Sequence, residues 1–284
     1  MVEIPAKLAM AERLGADVVE LSLFDEDIVV GCKIIPDRLR RLKDIIKNHA
    51  LRYTVHGPGY VNFMATADLD RNKRLCRTFL ELCGEIEVKS MVMHTGYCMH
   101  DDEAVTEDRY EQQRDAFHEM GEVARSCGVT ICVENIYDYA EGMRTASPTK
   151  LASEIREIGH PNVVATLDFG HAAIQCTIDQ LDYVQACRTL APQVGHLHVH
   201  DNFALPPNYN NLATGAESAA FGYDDLHLPV GWGDDMHWDE TLPDLAVMDG
   251  TTMILELRLP QYAHVLEESL ATARRFAALI NGGS

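Results

Sequence analysis

The sequence has no apolar run long enough to span a membrane, and its N-terminus shows no charged segment leading into a hydrophobic stretch and a cleavage site. A soluble, cytoplasmic protein is the expectation. Its eight cysteines (Cys32, Cys76, Cys83, Cys98, Cys127, Cys132, Cys176 and Cys187) include no close CxxC pair. Most sit in helix- or strand-patterned segments, as reduced, buried small hydrophobes do. Basic residues are scarce: 24 Lys and Arg stand against 44 Asp and Glu, for a formal charge of −20. Such a field repels phosphate backbones and disfavours nucleic acid as a partner, unless a local cleft overrides it. No linker, charge block or low-complexity stretch interrupts residues 1–284, which therefore read as one domain. No Gly-rich phosphate loop follows any strand, and this counts against a doubly wound nucleotide-binding sheet.

What the chain does contain is a regular alternation of strands and helices, at a length typical of one barrel-type domain. Strand patterns rich in Val, Ile and Met lie at 16–23, 51–56, 90–94, 129–135, 163–168, 194–201 and 252–258. Helical patterns lie at 3–15, 35–50, 68–88, 106–127, 148–159, 178–191 and 263–280. Ser147-Pro148 marks a helix start, a cap followed by proline at the first helical position. Alternation of this kind means parallel strands joined by crossovers. Seven strands are one short of a (β/α)8 TIM barrel, and the missing one should precede the first helix, where only Met1-Val2 remain. Either coding sequence lies upstream of Met1, or the barrel has an open seam beside the first visible strand.

The chain is organised around Val194–Asp201, in which His196, His198 and His200 alternate with Leu197 and Val199. Alternate side chains of a strand share a face, so three imidazoles point one way and two aliphatics the other. Catalytic groups of barrel enzymes lie at the C-terminal ends of strands and in the loops that follow. The strand ends here carry His56, His94, Glu134, Asp168 with His171, His198 with His200, and Glu256 with Arg258. Six successive ends with metal-competent side chains point to one axial site. Imidazole and carboxylate donors without cysteine suit a divalent ion such as zinc, manganese or cobalt. Asp225 and His227, on a Gly-rich loop after the histidine strand, join the candidate ligands.

The ordered motifs VHGPGY (55–60), MVMHTG (91–96), CVEN (132–135), TLDFGH (166–171), HLHVHD (196–201), DLHLPVGWG (225–233) and ILEL (254–257) resemble those of the xylose isomerase-like TIM barrel superfamily. That superfamily includes sugar-phosphate isomerases and epimerases and endonuclease IV. The epimerase branch implies one metal held by Glu134, Asp168, His198 and Glu256, with the two glutamates as acid and base and His171 touching substrate. The endonuclease IV branch implies three zinc ions, which also use His56, His94, His171, Asp225 and His227. All nine positions match. The acidic charge, the absent first strand and the extra segment 202–224, which has no Lys or Arg, favour the small-molecule branch. The expectation is a metal-dependent isomerase or epimerase of a sugar or sugar phosphate working through an enediolate, with an endonuclease IV-like zinc phosphodiesterase acting on abasic DNA as the alternative.

His56, His94, His200, Arg258 and Trp232 complete the candidate substrate-binding set. Arg258 lies two positions beyond Glu256 and could hold a phosphate or hydroxyl, or equally pair with a ligand carboxylate. Trp232, between two glycines, could wall a sugar pocket. Segment 202–224 suits a lid over a polyol, and Glu20, the one acid of its strand, could support a ligand from behind. His100, His118, His160, His237 and His264 read as surface or core residues, and the acidic run at 101–103 as a solvated loop. A homo-oligomer is compatible with such a barrel.

Overall fold

The computed structural model describes residues 1, 3–99, 103–207, 215–233 and 236–282. Seven parallel strands form one sheet in strict chain order: β1 (Val18–Ser22), β2 (Arg52–His56), β3 (Ser90–His94), β4 (Thr130–Glu134), β5 (Val163–Asp168), β6 (Val194–Val199) and β7 (Thr252–Leu255). The sheet curls into a nearly closed α/β barrel. Its outer layer is α1 (Ile4–Arg13), α2 (Pro36–Ile46), α3 (Leu69–Glu85), α4 (Glu103–Cys127), α5 (Pro148–Ile158), α6 (Phe169–Asp179), α7 (Tyr183–Leu190) and α8 (Leu266–Ile280). No eighth barrel strand occurs among the described residues. Instead, β1 and β7 are the two ends of the hydrogen-bonded sheet and border a cleft of about 700 Å³, with α1 and α8 on its outer side. Arg274 of α8 ties the base of this seam by donating to the carbonyl of Gly15.

The strand period divides the interior as the histidine alternation implies. Outward residues such as Met91, Met93, Ile131, Val133, Ala165, Leu167, Leu197 and Val199 join the main core between sheet and helices. Inward Val92, Cys132 and Val164 form a small separate cluster inside the barrel. The next inward positions along those strands are His94, Glu134 and Thr166. Helix ends follow local chemistry: Ser147 accepts from the Lys150 amide at 3.2 Å, Pro148 opens α5, and Gly159 closes it in the left-handed region. All eight cysteines are unpaired, and six are buried.

The helix expected at 178–191 is two helices, and the first begins nine residues earlier, directly at the end of β5. Its sequence, FGHAAIQCTID, is buried through its first eight positions, so no polar stripe reveals a helical period. The last helix starts at Leu266 rather than 263, after a short helix at Leu259–Tyr262 and a single 3-10 turn. Among the described residues no helix is long and apolar enough to cross a membrane.

Candidate metal centre

Register sets the height of each side chain in the mouth of the barrel. His94 pairs with Glu134 across β3 and β4, and Asp168 pairs with His198 across β5 and β6. The β5–β6 register shifts between Val194 and His196, a bulge at Gly195. Glu256 lies one residue past β7, yet its amide still donates to Val199 O at 3.1 Å and so extends the ladder.

Glu134, Asp168, His198 and Glu256 converge, with candidate donor atoms all within 4.8 Å of one another. The Nδ1 of His198 stands 2.9 Å from Glu134 Oε1, 2.9 Å from Glu256 Oε2 and 3.7 Å from Asp168 Oδ2. Two further groups flank the tetrad. His56 and His94 bring Nε2 to 3.3 and 3.4 Å from Glu134 Oε2. On the other side His171, His200, Asp225 and His227 gather, with His227 Nε2 at 2.6 Å and His171 Nε2 at 3.3 Å from Asp225 Oδ2. His200 Nε2 lies 3.1 Å from Asp168 Oδ2 and joins this group to the tetrad. The rings of His200 and His227 stack at 4.3 Å between centroids. All nine candidate ligands thus meet at one site, with His200 as a tenth.

The donor set fits a divalent cation. Three carboxylates in the tetrad repel one another in a buried site, and a bound cation is the direct way to balance them. Glu134 Oε2, Glu256 Oε2, Asp225 Oδ1 and His200 Nδ1 are buried without a hydrogen-bond partner, which leaves lone pairs free for coordination. Oxygen and imidazole donors without thiolate suit zinc, manganese or cobalt alike.

Neighbouring charges dominate the ionisation of these groups. Burial pushes the Glu134 carboxyl up, but His198, His56 and His94 outweigh it and hold it well below the usual carboxylate range. The same competition, against His227, His200 and His171, holds Asp225 low. Burial alone would lower His56, yet Glu134, Glu20 and Glu256 raise it to about 9. At His94 burial wins and the ring falls to about 4. His227 rises to about 9, chiefly because Asp225 overcomes its burial.

Several residues hold this arrangement in place. Asp168 caps α6 by accepting the His171 amide at 2.7 Å, which explains why TLDFGH carries a ligand and a helix start together. Asn135 clamps the backbone of Asp168 from both sides: its Oδ1 accepts from Asp168 N and its Nδ2 donates to Asp168 O, both at 2.9 Å. Gly170 is required because a Cβ there would lie 2.1 Å from the His200 ring. Asp201 accepts the amides of Gly231 and Gly233 at 2.6 and 3.1 Å and so anchors the loop that carries Asp225 and His227. Asn135 and Asp201 gave no signal of their own in the sequence beyond adjacency to a ligand. Tyr137, also missed, packs at 5.3 Å on His171 and donates to Asp224 at 2.6 Å.

The remaining candidates are placed less centrally. Arg258 lies beyond the end of β7, is exposed, and donates to the backbone carbonyl of Asp225 at 2.7 Å. Trp232 is half exposed, with its ring edge-on to Tyr262 at 5.4 Å. In segment 202–224, Leu205 bridges Tyr223 and a helix spans Gly215–Phe221; residues 208–214 lie outside the described residues. So do His100, Asp101 and Asp102. His160 is buried with its Nε2 3.0 Å from Glu122, and His118 bonds the Ile158 carbonyl, both away from the site.

Comparison with known proteins agrees with this architecture. The chain is 22% identical over 202 residues to the uncharacterised protein MJ1311 of Methanocaldococcus jannaschii, a match that takes in 70% of this chain and 61% of that protein. It is 23% identical over 291 residues to the L-ribulose 3-epimerase of Mesorhizobium japonicum, across 98% of this chain and 92% of the epimerase. The crystal structure of a D-tagatose 3-epimerase-like protein superposes with a TM-score of 0.69 at 19% identity, covering 94% of this chain and 91% of the other. The family model described as xylose isomerase-like TIM barrel matches residues 8–277, and the chain belongs to that family.

Proposed function

We propose that this protein is a divalent-metal-dependent isomerase or epimerase of a small sugar or sugar phosphate, with Glu134 and Glu256 as its acid–base pair. The observation that carries this reading is the placement of the two glutamates. Each is 2.9 Å from the same His198 nitrogen, Glu134 through Oε1 and Glu256 through Oε2, and they come from β4 and from the end of β7. The similarity to an L-ribulose 3-epimerase over nearly the whole chain supports the same class of substrate.

A divalent ion held by Glu134, Asp168, His198 and Glu256 would supply a Lewis acid, which lowers the cost of negative charge developing on the substrate. The protein's own groups do the rest. One glutamate Oε2 takes the proton from the carbon next to the carbonyl, giving an enediolate. The other returns a proton, on the opposite face for epimerisation or at the neighbouring carbon for isomerisation. His56 and His94, over Glu134 Oε2, and His171, beside Asp225, are placed to touch substrate hydroxyls. His200, Arg258 and Trp232 complete the proposed binding set, Arg258 by holding the Asp225 loop and Trp232 at the rim.

The test follows a carbon-bound proton. Ketoses such as L-ribulose and D-tagatose, incubated with metal-loaded protein in heavy water, should gain deuterium at the carbon that changes. Turnover without deuterium would mean hydride transfer between carbons, and the roles given to the two glutamates would be wrong. Elemental analysis of purified protein should find zinc, manganese or cobalt.

The donor groups that adjoin the tetrad favour a second reading, a zinc phosphodiesterase of the endonuclease IV type acting on abasic DNA, since a single-metal epimerase needs only the tetrad. The charge of −20 opposes it. A preparation holding three zinc ions per chain that nicks abasic duplex DNA at low salt would establish the second reading in place of the first.

A further inference from the structure

Glu20 lies in the middle of β1, level with Thr54 of β2, and its side chain is buried. Its Oε1 is 3.0 Å from His198 Nε2. Its Oε2 accepts the Thr54 hydroxyl at 2.9 Å and lies 3.0 Å from His196 Nε2. The carboxylate therefore reaches inward from the seam edge to the back of the one histidine in the tetrad. The opposite nitrogen of that ring, Nδ1, is the atom that faces Glu134, Glu256 and Asp168.

A histidine binds a metal through a nitrogen that carries no proton, so which nitrogen serves is decided by the hydrogen bond at the other. An ionised carboxylate only accepts hydrogen bonds. The oxygen of Glu20 therefore demands a proton on Nε2; with a cation balancing the carboxylates that face Nδ1, the ring carries that one proton and aims the free lone pair of Nδ1 into the tetrad. Carboxylates that hold ligating histidines in this way also raise the basicity of the ring and restrict its rotation.

We propose that Glu20 is a positioning residue that holds His198 as the Nε2–H tautomer and so presents Nδ1 to the metal; this rests on reading the tetrad as a metal centre. Thr54 fixes the carboxylate in turn. Neither residue need contact substrate.

The experiment uses the full-length chain, wild type and Glu20→Ala, with two readouts. In zinc-loaded protein labelled with 15N at histidine, the His198 ring shifts should report a metal-bound Nδ1 and a protonated Nε2 in the wild type and lose that preference in Glu20→Ala. Zinc titration should show affinity falling about 10- to 100-fold in Glu20→Ala with the number of ions per chain unchanged. Glu20→Gln, which keeps the shape and one acceptor oxygen, should fall between the two. If Glu20→Ala does not fold, Thr54→Val loosens the same carboxylate and should move both readouts the same way by less. An unchanged tautomer or an unchanged affinity would overturn the proposal. A lower number of ions per chain would also overturn it, because Glu20 would then be a ligand itself. A wild type that binds no zinc, manganese or cobalt would sink the metal reading of the tetrad and this proposal with it, whereas metal binding with an unchanged ring state in Glu20→Ala would overturn the proposal alone.

Discussion

The two sides of the barrel are built differently. On one side β4, β5 and β6 are packed from both faces: every residue of β5 is buried, and α5, α6 and α7 cover the outside. On the other side β7 and β1 border the seam cleft, and every residue of β7 is only partly buried. The tetrad straddles this difference. Glu134, Asp168 and His198 stand on the packed wall with side chains at most 1% exposed, whereas Glu256 stands on the seam side at 31%. Three candidate ligands are thus held by the fold, and the fourth, Glu256, along with the carboxylate behind His198, hangs on its looser edge. For the proposed acid–base pair, this would make one glutamate fixed and the other adjustable.

The largest effects should come from breaking the pair. Glu134→Gln and Glu256→Gln each keep one oxygen donor and remove the base, so each should cut proton exchange by about 10²- to 10⁴-fold. Metal affinity should separate them. Glu134 also faces His56 and His94, so its substitution should weaken metal binding more than Glu256→Gln does, as measured by calorimetric titration. Equal losses of affinity would mean that the seam side holds its ligand as firmly as the wall.

Packing should show the same asymmetry at smaller amplitude. Phe169, fully buried at the start of α6 and in edge contact with Trp238 at 5.1 Å, belongs to the wall. Its replacement by Ala should cost about 3–5 kcal/mol in chemical denaturation. Leu255 on β7 is half-buried beside the cleft, and its replacement by Ala should cost about 1–2 kcal/mol, because the site is already partly open. Costs of similar size would remove the distinction drawn between wall and seam.

How much of this the sequence revealed follows the same physics. Strand ends are legible because the two-residue period and the strand-end rule act locally, so His56, His94, Glu134, Asp168 and His198 could be placed without coordinates. The seven strands and the gap beside the first were legible for the same reason. Helix α6 was not, because burial on all sides erases the helical period. Arg258 was assigned to the inward face by counting two from Glu256, but β7 ends at Leu255 and the alternation stops with it. Asn135 and Asp201 act on residues 30 or more positions away, on Asp168 and Gly231, and Glu20, legible as an acid behind a ligand, finds its partner His198 across the barrel. Only a folded chain brings such partners together.

The smallest expected effect concerns an acid near Glu134 that answers burial in the opposite way. Asp138, four residues on, is also buried, and its partners include Thr145, Gln175 and Arg144. Burial pushes its carboxyl up to about 6, against the pull of the Thr145 amide, which donates to Oδ1 at 3.0 Å, and of Arg144 at 3.5 Å from Oδ2. Glu134 goes the other way because His198 and its neighbours outweigh the same penalty. A carboxyl that holds its proton more tightly when folded favours the folded state at low pH, and loses that advantage as pH rises from the unfolded value near 3.8 through about 6. The full shift corresponds to about 3 kcal/mol, an upper bound on the effect. Asp138→Asn keeps the Oδ1 acceptor for Thr145 and removes the titration. Urea denaturation between pH 4.5 and 7 should therefore show the wild type losing stability relative to Asp138→Asn as pH rises, with the two differing little in slope above pH 7. Parallel stability curves across that window would mean that Asp138 ionises as it does in the unfolded chain, and that its burial does not suffice to hold a proton at this mouth.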